Sequence, residues 1–217
     1  MYSIIRKLIV FVMLLGAFGQ KGQAQDFQMG FSLGTAFYQG DMIKGVIDLK
    51  EANIAYGLFL RRYATDKWAV RINWTRGKVS GDDRNARPER GFRFNSTFNE
   101  FALLAEYNLI GGYNFNYSGK QEDLFGLYLF AGGALTTLNS KLVSPVGEMT
   151  VTPVFTDVTL AMPIGGGLRL NLSERTSIEG EMAARATLTD RIDGLEGGAR
   201  DYYLTAVINV TLILGNY

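Results

Sequence analysis

Eight charged side chains are the first candidates for chemistry: Glu100, Glu106, Glu179 and Glu181, with Arg61, Arg71, Arg169 and Arg185. Glu179 and Glu181 lie two residues apart, so an extended strand presents both on one face, and Glu100 and Glu106 share a face for the same reason. Paired carboxylates do acid–base work when their surroundings push their pKa values apart. Four acids beside four guanidiniums have a second reading, a neutralised network that needs no substrate, and the equal numbers favour it. Composition closes the other routes. The 217-residue chain has no histidine and no cysteine, which removes imidazole and thiolate metal ligands, Ser/His/Asp and Cys/His nucleophile systems, disulfides and lipid attachment through an N-terminal cysteine.

The remaining motifs are weak. Gly165-Gly166-Gly167 follows Pro163 and Ile164 with no helix behind it to present a phosphate site, so it reads as a place where a strand is crowded or bent. Asp82, Asp83, Asp190 and Asp193 lack the spacing of a calcium loop. Arg84, Arg87, Arg90 and Arg93 are offset by Asp82, Asp83 and Glu89, the pattern of a solvated loop rather than a lipopolysaccharide or nucleic-acid site. A formal charge of +1 gives no ground for nucleic-acid binding. No catalytic residue, cofactor, metal or small-molecule substrate is expected.

The elements that hold the eight charges follow from patterning. Residues 1–24 read as a cleaved signal peptide: Arg6 and Lys7, an apolar core from Leu8 to Phe18, then Gly22-Gln23-Ala24 as a small-x-small site. That core is too short to span a bilayer as a helix. Removing Arg6, Lys7 and Lys21 leaves 19 basic against 21 acidic residues in the barrel domain, 25–217. No later segment is apolar for long without interruption. Period-two alternation instead predicts eight strands near 27–38, 52–63, 68–79, 97–110, 124–137, 156–172, 176–188 and 201–214. Their connections alternate: Thr65-Asp66-Lys67 and Ser173-Glu174-Arg175 are tight, 111–123 is intermediate, and 39–51, 80–96, 138–155 and 189–200 are long and mostly polar. That rhythm is expected of an outer-membrane barrel whose N-terminus begins on the periplasmic side.

Each strand has one apolar and one small or polar face. Trp68, Val70, Ile72 and Trp74 oppose Ala69, Arg71, Asn73 and Thr75. Val158, Leu160, Met162 and Ile164 oppose Thr159, Ala161 and Gly165. Ser32, Gly34, Ala55, Gly57 and Arg61 share the polar face of the first two strands. A secreted β-sandwich or a soluble ligand-binding barrel has the same period, so the polar face has to decide. It collects all eight charges among glycine, alanine, threonine and asparagine. In a narrow barrel they can pair within a nearly dry lumen, while the apolar face meets lipid and Trp68, Tyr107 and Tyr202 form an aromatic girdle. The predicted fold is all-β: an eight-stranded antiparallel up-and-down transmembrane barrel of the outer-membrane type, its lumen filled by side chains.

A run of short motifs carries a resemblance. Gly81-Asp82-Asp83-Arg84 and Arg90-Gly91-Phe92-Arg93-Phe94 lead into Asn99-Glu100 and Ala105-Glu106-Tyr107-Asn108. Leu127-Tyr128-Leu129-Phe130-Ala131-Gly132-Gly133, Pro163-Ile164-Gly165-Gly166-Gly167 and the stretch from Arg185 to Gly194 follow. In order and spacing this resembles the PorG-like outer-membrane proteins of Bacteroidota, components of the type IX secretion system. The resemblance covers most of the mature chain. It implies a non-enzymatic barrel that ties periplasmic machinery to the outer membrane, with the ring of PorK lipoprotein and PorN as partners. Where that family carries an aromatic and an Asp-rich turn after the Thr-Asp pair, this chain has Arg191 and a single Asp193. The alternative reading is a stand-alone small barrel whose outer loops bind surfaces or ligands.

If a periplasmic partner docks, 111–123 is the expected place. Two or three residues suffice for the other turns on that side, whereas this connection has thirteen. It offers Tyr113, Phe115 and Tyr117, aromatics of the kind that anchor interfaces. Rings in the lipid headgroup belt are the competing explanation for the three aromatics.

Overall fold

The computed structural model describes residues 27–39, 52–82, 93–112, 123–143, 155–187 and 202–214. They form eight strands: β1 (Phe27–Gln39), β2 (Asn53–Tyr63), β3 (Trp68–Asp82), β4 (Arg93–Ile110), β5 (Phe125–Val143), β6 (Phe155–Asn171), β7 (Thr176–Thr187) and β8 (Tyr202–Leu214). Each pairs antiparallel with the next, and β1 also pairs with β8, closing the barrel. There is no helix among the described residues. The signal-peptide reading of 1–24 lies outside them.

The two tight turns are built alike. Thr65 Oγ1 accepts the backbone N–H of Trp68 at 3.0 Å, and Ser173 Oγ accepts that of Thr176 at 3.0 Å. In each, two backbone N–H groups converge on one carbonyl oxygen: those of Ala64 and Thr65 on Trp68, those of Leu172 and Ser173 on Thr176. A short hydroxyl side chain closing its own turn is the reason these positions prefer Ser and Thr. Both turns lie at one rim, with the start of β1 and the end of β8, since Phe27 faces both Arg62 and Leu214 in register. In outer-membrane barrels the short-turn rim is periplasmic.

The faces divide as the alternation requires. Phe31, Leu58, Ile72, Phe101, Leu135, Leu160, Ile164, Leu168, Met182 and Ile208 stand exposed on the outer wall. Trp68 packs on Tyr107 with ring centroids 4.8 Å apart, and Tyr202 is exposed too, so the expected girdle residues all reach the outside. An apolar band this extensive is incompatible with solvation by water and suits acyl chains.

Three strands run further than the alternation predicts. β3 and β4 stay paired through Asp82 and Arg93, and β5 continues to Val143, so much of the expected 80–96 loop and the start of 138–155 is sheet. At these ends the outer face turns polar (Lys78, Asn95, Thr97, Asn139), and the contrast that marks a strand in sequence disappears. Packing inside continues: Val79, Phe94, Phe98 and Leu138 cluster with Ala36, Tyr38, Ala55 and Tyr203. Interior packing and backbone pairing hold the extension together.

Candidate functional site

All eight predicted lumen charges point inward and are essentially excluded from solvent. The strands deliver them in two tiers. Nearer the turn rim, Arg61 is the hub. Its Nη1 and Nη2 donate to the two oxygens of Glu179 at 2.7 and 2.9 Å, its Nε to Glu106 at 3.0 Å, and Nη1 also to Gln28 at 2.5 Å. Arg169 closes the ring, with Nε on Glu179 at 2.7 Å and Nη2 on Glu106 at 3.0 Å. Arg71 donates to Glu181 at 2.6 Å and stands 3.7 Å from Glu106. The second tier, towards the opposite rim, is Arg185 with Glu100 at 2.9 and 3.2 Å; Arg185 also donates to the Thr205 hydroxyl.

Aromatic side chains sheathe both tiers. The Arg71 guanidinium lies 4.9 Å from the Phe59 ring centroid and 4.7 Å from that of Phe130; Arg61 and Arg169 lie 5.4 and 5.0 Å from that of Tyr128. The Tyr128 hydroxyl sits 2.9 Å from Glu179 and 3.0 Å from Glu181, giving its one proton to either acid. Tyr203 donates to Glu100 at 2.6 Å. Glycine makes room for the ring: a Cβ at Gly167 would stand 2.5 Å from the Tyr128 ring carbon Cζ. Gly165 and Gly167 therefore make room for the Phe130 and Tyr128 rings, consistent with the crowding reading.

Sequence reasoning selected the charges but not the groups that bind them together. Tyr128, Phe59, Gln28 and Asn108, which accepts from Arg169 at 3.2 Å, were missed. The available signal was parity, since Tyr128 and Phe130 share the lumen register of Ala134 and Thr136.

This arrangement is poor in reactivity. Every one of the four carboxylates is bonded to a guanidinium inside a nearly closed interior, so they read as a paired network. A groove of about 350 Å³ exists elsewhere, lined mainly by Ile110, Phe125, Leu127, Leu168, Leu170 and Ile178, with Arg169 its single charged residue. No cluster of three metal-capable acids occurs among the described residues. Of the loop acids weighed as calcium ligands only Asp82 is described, in β3 opposite Arg93. Asp83, Asp190, Asp193, Arg84, Arg87 and Arg90 lie outside the described residues, as do Tyr113, Phe115 and Tyr117.

The ends of the 111–123 connection are described, and both are fixed to the turn rim. Gly111 has φ +69°, a left-handed conformation that favours glycine. Gly112 passes so near the Asp66 carbonyl oxygen that a Cβ there would stand 2.3 Å from it. At the far end Asn171 donates to the Asp123 carbonyl oxygen, and its backbone N–H to that of Leu124 at 2.9 Å. Gly112 and Asp123 thus lie against the two short turns.

An apolar exterior, a neutralised polar interior and a closed eight-strand sheet define the class: this is an outer-membrane β-barrel. The chain belongs to the family described as a domain of unknown function (DUF6089), whose model matches residues 6–211. Among solved structures it is similar to Neisserial surface protein A (NspA), with TM-score 0.51 and 10% identity over 86% of this chain and 96% of that one. It is similar also to Ail, the attachment invasion locus protein of Yersinia pestis, with TM-score 0.52 and 11% identity over 88% of this chain and all of that one. At these identities the likeness concerns the fold. A comparison with curated protein sequences finds no match.

Proposed function

We propose that the protein is a non-enzymatic outer-membrane subunit that anchors or assembles a protein secretion machine of the type IX kind, docking a PorK/PorN-like periplasmic ring. The observation that carries this reading is the turn-rim connection. A four-residue turn of the 64–67 or 172–175 kind satisfies a barrel on this side, yet residues 113–122 are added between ends held by Asp66 and Asn171. The sequence of that segment contains Tyr113, Phe115 and Tyr117, residue types that anchor interfaces, and these are the proposed docking contacts. The motif order shared with the PorG-like proteins points the same way, and a lumen packed with side chains and paired charges turns attention to the surfaces. Export through a signal peptide at 1–24 belongs to this reading and is checked by N-terminal sequencing, with Gln25 expected first.

The test replaces all three aromatics by serine. The variant is expected to insert and show unaltered heat-modifiable gel migration, while losing ring proteins from a mild-detergent pull-down and impairing secretion. A folded triple variant that keeps its partners and secretes normally sinks this docking site. A wild-type pull-down free of ring proteins favours the second reading, a stand-alone barrel that binds surfaces or ligands on the other side. The polar outer ends of β3, β4 and β5 are the observation that supports that alternative.

A further inference from the structure

The barrel's two faces differ in charge balance. Inside, four arginines meet four glutamates. On the outward face of the strands, among residues whose side chains are described, the charged ones are all cationic: Arg62, Arg76, Lys78 and Arg93. Arg62 belongs to the turn rim, where it stands over the Phe27 ring at 5.7 Å. Arg76 and Lys78 lie together, two residues apart on one face of β3, both exposed and with no carboxylate partner among the described residues.

Their height in the membrane follows from register. Trp74, Phe101, Leu135 and Leu160 form one outward row across β3 to β6. The next row away from the turn rim is Arg76, Asn99 and Thr137, and the one after is Lys78, Thr97 and Asn139. On β3 to β5 the outer wall thus changes from apolar to polar within one step along the strands, while Val158, in register with Thr137 on β6, stays apolar. From the girdle residue Trp68 to Lys78, ~3.3 Å per residue and a tilt of ~40° give a rise of about 25 Å, the height of the apolar band of such barrels. Tyr56, the register neighbour of Arg76, packs edge-on against Trp74 at 6.1 Å just below.

Two cations at that boundary, with no carboxylate partner among the described residues, are placed to meet an anion from the lipid side. We infer that Arg76 and Lys78, flanked by Asn99 and Thr97, form a headgroup site for the phosphate of a lipid in the outer-facing leaflet. The guanidinium engages phosphate oxygens through its planar fork and the ammonium acts as a mobile point charge. The neighbouring amide and hydroxyl offer uncharged hydrogen bonds. Tyr56 and Trp74 receive the upper part of the acyl chains.

The experiment is native mass spectrometry of the detergent-solubilised full chain titrated with lipid A, in its phosphorylated form and after enzymatic removal of phosphate. The Arg76→Gln/Lys78→Gln variant is expected to bind phosphorylated lipid A at least about ten-fold more weakly, as the loss of charge-assisted bonds implies. The charge-keeping Arg76→Lys/Lys78→Arg variant is expected to bind more tightly than the double Gln variant, and the opposite-rim Arg62→Gln variant to bind as wild type does. Dephosphorylated lipid A should bind wild type no better than phosphorylated lipid A binds the double Gln variant. Millimolar inorganic phosphate should not displace the lipid, because the rings hold its chains. Heat-modifiable migration of every variant verifies the barrel. Equal lipid A binding by a folded double Gln variant overturns the site. So does indifference to the lipid phosphate, or displacement by inorganic phosphate.

Discussion

Arg61 and Arg62 are neighbours in sequence and opposites in circumstance. Arg61 is sealed in the lumen with bonds to Glu106, Glu179 and Gln28, whereas Arg62 stands outside beside Phe27. Arg61→Leu leaves buried carboxylates short of a partner, and breaking such a pair costs roughly 3–5 kcal/mol. Denaturant titration of the folded barrel should show that loss, while Arg62→Leu should leave the midpoint nearly unchanged; equal small shifts would mean the interior is not dry. Gly167 tests the packing of the same network. Gly167→Ala pushes a methyl group into the Tyr128 ring, which is fully buried and holds Glu179 and Glu181. Overpacking of this kind costs about 1–3 kcal/mol, and the same titration should detect it. A fully stable Gly167→Ala barrel would show that Tyr128 has room to move.

At the scale of elements, the hairpins set the orientation. β2–β3 and β6–β7 are closed by turns in which a Thr or Ser side chain caps its own loop, and both turns share a rim with the start of β1 and the end of β8. The short-turn rule puts that rim in the periplasm. A cysteine at Asp66 should therefore resist a membrane-impermeant maleimide added to intact cells and react after the outer membrane is opened. Labelling from outside would reverse the barrel. The other rim behaves differently because β3, β4 and β5 extend beyond the apolar band. Those extensions were hard to read from sequence for a specific reason: with Lys78, Asn95 and Thr97 outside, the outer face no longer contrasts with the lumen, although Val79, Phe94 and Phe98 still pack within.

For the molecule as a whole, the lumen is a strut. Tyr38, Phe94, Phe98 and Leu138 pack towards one end, the arginine–glutamate tiers occupy the length, and Tyr63, Ala69 and Ile213 pack near the turn rim. Eight strands leave an interior that side chains fill. In planar bilayers the purified barrel should give no discrete single-channel currents; a regular unit conductance would contradict the filled lumen.

Alternation is a local property, so the chain alone determined the central part of each strand, which residue there faces which side and which eight charges enter the lumen. Glu179 and Glu181 had to point the same way on any strand, and Trp68, Val70 and Ile72 the other way. Partner choice was decided by the tertiary structure. Arg61 and Glu179 are 118 residues apart in sequence, and only the stagger of the closed sheet brings them to 2.7 Å. The same closure gave Glu100 to Arg185 and Glu106 to Arg61 and Arg169. It also brought Tyr128 between two acids and opened a glycine recess for its ring. Faces are set by a two-residue period, but contacts across a barrel depend on register summed around all eight strands, and no local window contains that sum.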